Sequence, residues 1–242
     1  MKIVAIIQAR TGSTRLPEKV LKKIKERIIL DYVVDRLKYS KYLDNIVLAT
    51  TISKKDDILE KYAINKKIDY FRGDEENVLS RYYYAAKKYK SDVIVRITSD
   101  CPLIDFEIVD KVIIKHIETQ SDYTSNVLKR TFPRGVDTEV FNFNVLEEAY
   151  KCSIDKFEQE HVTPYITNHP EKFKLQNLEA KGKLKRPDIR ITLDTKEDFE
   201  LIKKIILHFG NISFNTSGII DFLNENPKLL LINKHIKQKV IY

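Results

Sequence analysis

The chain has 242 residues, 43 of them Lys or Arg against 35 Asp or Glu, for a net charge of +8. With 43% hydrophobic and 32% charged residues, six Gly and seven Pro, it is globular; collagen-like, low-complexity and disordered classes are excluded. No apolar run approaches the ~20 residues of a membrane span, and Arg10 and Arg15 follow the apolar start where a signal peptide would have its small-residue cleavage site. Cys101 and Cys152 form no metal or redox spacing. The expectation is a cytoplasmic protein. Its basic residues are dispersed among acids, which favours a small anionic ligand over a nucleic acid or a membrane surface.

Apolar runs alternate with helical patterns nearly throughout. KIVAIIQ (2–8) reads as a buried strand, Ile28–Tyr39 as a helix, NIVLAT (45–50) as a strand and Asp56–Ala63 as a helix. A strand at Ile68–Phe71, a helix at Asn77–Tyr89 and a strand at 92–97 follow, then a helix over Asp105–Ile117 with Asp105 as N-cap. This order predicts an α/β fold with a mainly parallel sheet and helices on both faces. Beyond residue 120 the rhythm loosens: strands are expected at 121–126, 138–143, 173–178 and Asp188–Leu193. Helices are expected at 143–150, 155–168, 195–209 and 216–224. No linker divides the chain, so one domain over 1–242 is predicted, with 126–188 a less regular insertion.

Ligands of open α/β sheets bind at the carboxyl ends of strands. The segment leaving the first strand places Arg10, Arg15 and Lys19 beside Gly12 and the hydroxyls of Ser13 and Thr14. Guanidinium forks and backbone N–H groups suit several phosphate oxygens at once; the competing reading is three solvated charges. Neither a P-loop nor a G-x-G-x-x-G fingerprint is present. Asp100 and Asp194 each stand where a predicted strand ends and a helix soon begins. If those strands are neighbours, both carboxylates enter one crevice, and Mg²⁺ is commonly held by one or two carboxylates plus substrate phosphates. Alternatively Asp100 is a turn residue before Pro102 and Asp194 a helix cap, although Thr195 with Asp198 can supply the cap.

IQARTGSTRLPEK (7–19), FRGDEENVLSRY (71–82), RITSDCPLID (96–105), PRGVDTEVF (133–141), EHVTPY (160–165), RITLDT (190–195) and INKHIKQK (232–239) together span nearly the whole chain. In this order they resemble the spore coat polysaccharide biosynthesis protein F family of cytidylyltransferase-like proteins, which is related to 3-deoxy-manno-octulosonate cytidylyltransferase. The resemblance implies a three-layer α/β/α, Rossmann-like (glycosyltransferase-A-like) nucleotidyltransferase fold, Mg²⁺ dependence and a homodimer, with 126–188 serving the acceptor and the dimer. It implies transfer of CMP from CTP to a sugar acid, sugar phosphate or related anion, with release of pyrophosphate, for a surface polysaccharide.

Carried over by position, Arg10, Gly12, Ser13, Arg15 and Lys19 hold the triphosphate, and Asp100 and Asp194 hold the metal. Arg15, Lys19 and Asp100 carry the chemistry. Gln8, Ala9, Thr98 and Ser99 line the base and ribose with Arg72 and Arg81. Asp137, Glu139, Glu160, His161 and Arg190 face the acceptor. Glu18 stands where relatives usually carry Gly, and Gln159 where many carry Arg. Blander readings compete: His161 as a core histidine, Asp137 and Glu139 as a solvated strand face, Arg81 as a surface partner of Glu75 or Glu76, and Tyr82–Tyr84 as packing. A glycosyltransferase of the same broad fold would want a D-x-D motif where Thr98-Ser99-Asp100 has one aspartate. A nucleic-acid-binding protein is the remote alternative.

Overall fold

The computed structural model describes residues 1–13 and 15–238; the Thr14 hydroxyl and Lys239 of the last motif lie outside the described residues. In chain order the elements are β1 (Ile3–Gln8), a hairpin of β2 (Lys23–Ile24) and β3 (Arg27–Ile28), α1 (Ile29–Leu37), β4 (Asn45–Thr51), α2 (Asp57–Lys66), β5 (Asp69–Gly73), α3 (Val78–Lys88), β6 (Val93–Thr98) and α4 (Phe106–Thr119). Then come β7 (Tyr123–Ser125), β8 (Glu139–Asn142), α5 (Phe143–Cys152), α6 (Lys156–His161), α7 (Pro164–Thr167), β9 (Leu175–Asn177), α8 (Lys196–Phe209) and α9 (Thr216–Glu225). Seven strands form one sheet in the order β5-β4-β1-β6-β8-β7-β9. All neighbouring pairs are parallel except β6–β8 and β7–β8, so β8 alone runs against the rest.

β1 is apolar at consecutive positions because both of its faces are covered. Ile3, Ala5 and Ile7 join a core with α1, α2, α4, α8 and α9, while Val4 and Ile6 join a second core with α3, α5 and α7. The result is a three-layer α/β/α fold. Asp105 caps α4 through the N–H groups of Glu107 and Ile108, as expected, and its second oxygen accepts from Thr216 N–H. Thr195 and Asp198 form the capping box of α8. Tyr82 and Tyr83 are core residues, and Tyr83 stacks on Tyr150.

Two expectations are corrected. The segment 188–193 is extended but is no strand: it makes one isolated bridge, Arg134 to Arg190, because its neighbour, the 131–137 segment, is itself irregular. The helix expected at 155–168 is broken into α6 and α7. Pro164 cannot donate into a continuing helix, and Val162, at φ 73, turns the chain between them. Glu18 has φ 52 and ψ 29, a left-handed conformation that glycine adopts without steric cost. A glycine, which the resemblance leads one to expect there, would fit that conformation, and the exposed Glu18 side chain is not among the cleft residues.

Candidate active site

The carboxyl ends of β1 and β6 open into a cleft of about 910 Å³, lined by the first loop, the start of α3, the Thr98–Asp100 turn, α6 and Asp194. The first loop is tied down by a residue that sequence reasoning took only for a helix start. Buried Asp56 accepts from the Thr11 N–H at 2.8 Å and the Thr11 hydroxyl at 2.7 Å, and Thr51 donates to its other oxygen. Glu18 N–H closes the loop on the Thr11 carbonyl at 3.2 Å. This anchorage fixes where Arg15 and Lys19 emerge.

Lys19 is the centre of the site. Its ammonium donates to Asp100 Oδ2 at 2.9 Å, Asp194 Oδ1 at 3.0 Å and the Leu193 carbonyl at 2.9 Å. Arg15 reaches the same Asp194 oxygen at 3.0 Å, and Arg190 takes Asp194 Oδ2 at 2.8 Å. The two aspartates therefore do meet, although one follows a strand and the other an irregular segment. What joins them is backbone: Leu193 N–H donates to the Asp100 carbonyl at 2.8 Å. Burial would raise the Asp194 pKa, but Lys19, Arg190 and Arg15 outweigh it and hold the carboxyl below the ordinary aspartate value. Burial opposes the charge of Lys19, and the two carboxylates reverse that effect and raise its pKa.

Both oxygens of Asp194 are engaged and its side chain is 8% exposed, whereas Asp100 is 26% exposed. Among the described residues the second oxygen of Asp100 has only the Cys101 thiol, at 3.7 Å. Among the described residues no group of three or more His, Cys, Asp or Glu converges as a metal cage. One open carboxylate oxygen, beside a second carboxylate whose cations a triphosphate can draw on, nevertheless fits a hard divalent ion that takes its remaining ligands from phosphate and water.

Gln8, Ala9, Arg10, Gly12, Ser13, Arg81, Thr98 and Ser99 all line the cleft. Arg10 makes only a long contact, 3.8 Å, with Glu75. Arg81 is 2% exposed, and among the described residues its Nε and Nη1, like Gln8 Oε1, have no hydrogen-bond partner, and it does not pair with Glu75 or Glu76. Burial pulls the Arg81 pKa below the usual guanidinium value, and Arg10 adds to that. Two cleft residues thus carry buried polar atoms with unmet hydrogen-bonding capacity among the described residues, a costly state that a ligand would relieve.

Glu160 and His161 also line the cleft, with Lys156 and Gln159 of the same short helix. His161 lies 4.7 Å from the Phe157 ring. At the base of α6, Thr163 N–H donates to the His161 carbonyl at 2.9 Å across Val162, a strained γ-turn for a β-branched residue.

Four expected site residues lie elsewhere. Arg72 is consumed by Asp57, Glu60 and the carbonyls of Thr51 and Ser53, because β5 presents it to α2 rather than to the cleft. Glu139 is buried and ion-paired to Arg96 across the β6–β8 ladder. Asp137 is gripped by both terminal nitrogens of Arg130 at 2.8 Å. Arg190 is committed to Asp194 and to buried Asp198, so it orients a cleft carboxylate without lining the cleft. Asp198 and Asn233 complete that support, Asn233 donating to the Arg190 carbonyl at 3.0 Å and to Asp198 at 2.8 Å.

The comparisons agree with this architecture. The chain is 45% identical over 239 residues to an uncharacterized protein of Methanocaldococcus jannaschii, covering 99% of this chain and 97% of the relative. It is 41% identical over 231 residues to the spore coat polysaccharide biosynthesis protein SpsF of Bacillus subtilis, covering 93% and 95%. A 3-deoxy-manno-octulosonate cytidylyltransferase of Bdellovibrio bacteriovorus matches over 112 residues at 35% identity, 46% of this chain and 44% of the relative. A cytidylyltransferase structure from Leptospira borgpetersenii superposes with a TM-score of 0.91 at 36% identity, covering 100% and 99% of the two chains. The cytidylyltransferase family model matches residues 4–236, and with that the chain belongs to the cytidylyltransferase family, a CTP-dependent nucleotidyltransferase with the family's fold.

Proposed function

We propose that the protein transfers CMP from CTP to an anionic sugar, a sugar acid or sugar phosphate used in a surface polysaccharide, with Mg²⁺ and release of pyrophosphate. The relatives' names support the polysaccharide setting. The observation that carries the chemistry is the Lys19 ammonium joining Asp100 to Asp194 at the mouth of the cationic loop. Three cations, Arg15, Lys19 and Arg190, converge there on two carboxylates, and triphosphate oxygens compete with the carboxylates for Arg15 and Lys19.

In the reaction an acceptor oxygen attacks the α-phosphorus of CTP, the new P–O bond forms, and the α–β bridge breaks with its electron pair leaving on pyrophosphate. Asp100 and Asp194 would hold Mg²⁺, which, when bound, neutralises charge on the non-bridging and leaving oxygens. Arg15 and Lys19 hold the phosphate chain in line and bind the negative charge that builds on it. Gln8 and Arg81, with their unmet buried groups, take the nucleoside end. Glu160 accepts the proton when the acceptor nucleophile is a hydroxyl; an ionised phosphate acceptor needs no base. The cytoplasm is the expected compartment, and among the described residues no helix is long and apolar enough to cross a membrane.

The test is a thermal-shift comparison of the four nucleoside triphosphates with Mg²⁺, followed by pyrophosphate release with candidate anionic sugars. CTP should stabilise most, and pyrophosphate should appear only when acceptor and metal are both present. Release of a nucleoside diphosphate from a nucleotide sugar would instead make the protein a glycosyltransferase.

A further inference from the structure

Arg134 has a different status from the arginines around it. Arg130 has Asp137, and Arg190 has Asp194 and Asp198. Among the described residues the half-buried Arg134 guanidinium has neither a hydrogen bond nor an ion pair, and burial, with Arg130 and Arg190 close by, disfavours its charge. A guanidinium stays protonated regardless, so a positive charge stands there that no described side chain pairs directly, Asp137 favouring it only from beyond ion-pair distance.

The backbone fixes where this charge stands. Arg134 N–H donates to the Ile189 carbonyl at 2.9 Å, and its own carbonyl accepts from Ile191 N–H at 2.7 Å. Residues paired in a parallel bridge project to the same side, so Arg134 leaves the chain on the side of Arg190, which holds Asp194. The segment carrying it leads into β8, whereas the cationic loop follows β1 on the other side of β6. Asp100, at the end of β6, therefore lies between the two cationic regions.

We infer that Arg134, flanked by Arg130 and Arg190, is an anion subsite that binds the carboxylate or phosphate of the acceptor beside Asp194. This deepens the nucleotidyl-transfer reading and rests on it. The acceptor's anionic group sits on Arg134, its nucleophilic oxygen faces the α-phosphorus, and the two like-charged substrates are held apart by separate sets of cations.

The experiment saturates the protein with cytidine 5′-(α,β-methylene)triphosphate and Mg²⁺, so that the first loop is filled, and then titrates inorganic phosphate and, separately, D-glucuronate by calorimetry. The wild type should bind at least one of them, and which one it prefers distinguishes a phosphate from a carboxylate acceptor. Arg134→Gln should weaken that binding at least tenfold while binding the nucleotide analogue as the wild type does. Equal anion affinity in wild type and variant, or no binding of either anion to the wild type, overturns the assignment. Should Arg134→Gln not fold, Arg134→Lys carries the test: its anion affinity should fall while nucleotide binding stays, and an unchanged affinity overturns the subsite. Binding of the analogue to the wild type is read in the same cell, so failure of the nucleotide reading is seen separately.

Discussion

Asp100 and Asp194 meet at one ammonium, yet the chain delivers them by different means. Asp100 follows β6, in the interior of the sheet beside β1, and a parallel strand buried on both faces fixes where its end emerges. Asp194 follows a segment with one isolated bridge, held by Arg134, by the Asp100 carbonyl and by the Arg190–Asp198–Asn233 network. The strand-borne carboxylate is 26% exposed with one dominant partner, whereas the segment-borne one is 8% exposed with three. A regular element can position a functional group and leave it open. An irregular one positions its group by surrounding it, so the same residue serves chemistry and stability.

Replacing each aspartate by asparagine sharpens that contrast. Both variants should lose about 10²–10³ of pyrophosphate-releasing turnover, as when an electrostatic element of a site is removed. They should part in thermal or urea unfolding. Asp100→Asn should cost at most about 1 kcal/mol, the scale of a partly exposed pair, whereas Asp194→Asn leaves Lys19 and Arg190 facing a neutral group and should cost about 3 kcal/mol. Equal losses of stability would erase the difference between the two regions.

Gly135→Ala probes the irregular side directly. Gly135 has φ +113, and a Cβ there would stand 2.6 Å from the Ile191 carbonyl carbon and 2.7 Å from Thr192 N. Backbone on both sides cannot yield as a side-chain tip can, so a loss of about 3 kcal/mol is expected, read as a lowered Tm, together with weaker metal activation because residues 191–194 must shift. A variant with wild-type Tm and metal response would show that this crossing does not hold Asp194.

The same contrast explains how much could be read from the sequence. β1, β4, β5, β6, α1 to α4 and the cationic loop were legible because continuous apolar runs, helical spacing and the Asp105 cap are local signals. Asp188–Leu193 read as a strand because IRITL has strand composition, but pairing depends on the neighbour, and 131–137 offers a Gly-centred turn rather than a ladder. Arg72, Asp137 and Glu139 carry charges that suit a site, yet their ion-pair partners lie 7 to 43 residues away, and no periodicity reveals such partners. Asp56, which anchors Thr11 across 45 residues, was hidden in the same way.

On the strand-borne side, Arg15→Ala should reduce CTP affinity about tenfold, because its 42% exposed guanidinium contributes one charge-assisted contact to a triphosphate. At fixed CTP above Kd, ligand-induced stabilisation should fall by about 1.4 kcal/mol. The loss of the Asp194 contact should cost little by comparison, because Lys19 and Arg190 remain. If apo stability falls more than CTP-induced stabilisation, Arg15 is structural.

Two further effects are expected in acid, and the two titrations are separated by pH. Burial lowers the His116 pKa below its ordinary value of 6.5, with Asn142 and Asp122 opposing only in part. Asn142 Nδ2 donates to the Ser121 carbonyl, so its Oδ1 accepts from His116 Nε2–H at 3.0 Å, which leaves Nδ1 to accept from the Thr124 hydroxyl at 3.1 Å. A neutral ring satisfies both bonds. Between the two pKa values the unfolded chain binds the extra proton, so stability is complete above about pH 6.5 and declines as pH falls from there towards the folded value. Asp194 is depressed instead, so its contribution is intact above the ordinary aspartate value of about 3.9 and is lost only as pH falls through its lower folded value. His116→Gln should abolish the loss that begins below about pH 6.5 and leave the one that begins below about pH 4, while Asp194→Asn should do the reverse. A single transition unaffected by either variant would mean that neither group sets the acid limit of the fold.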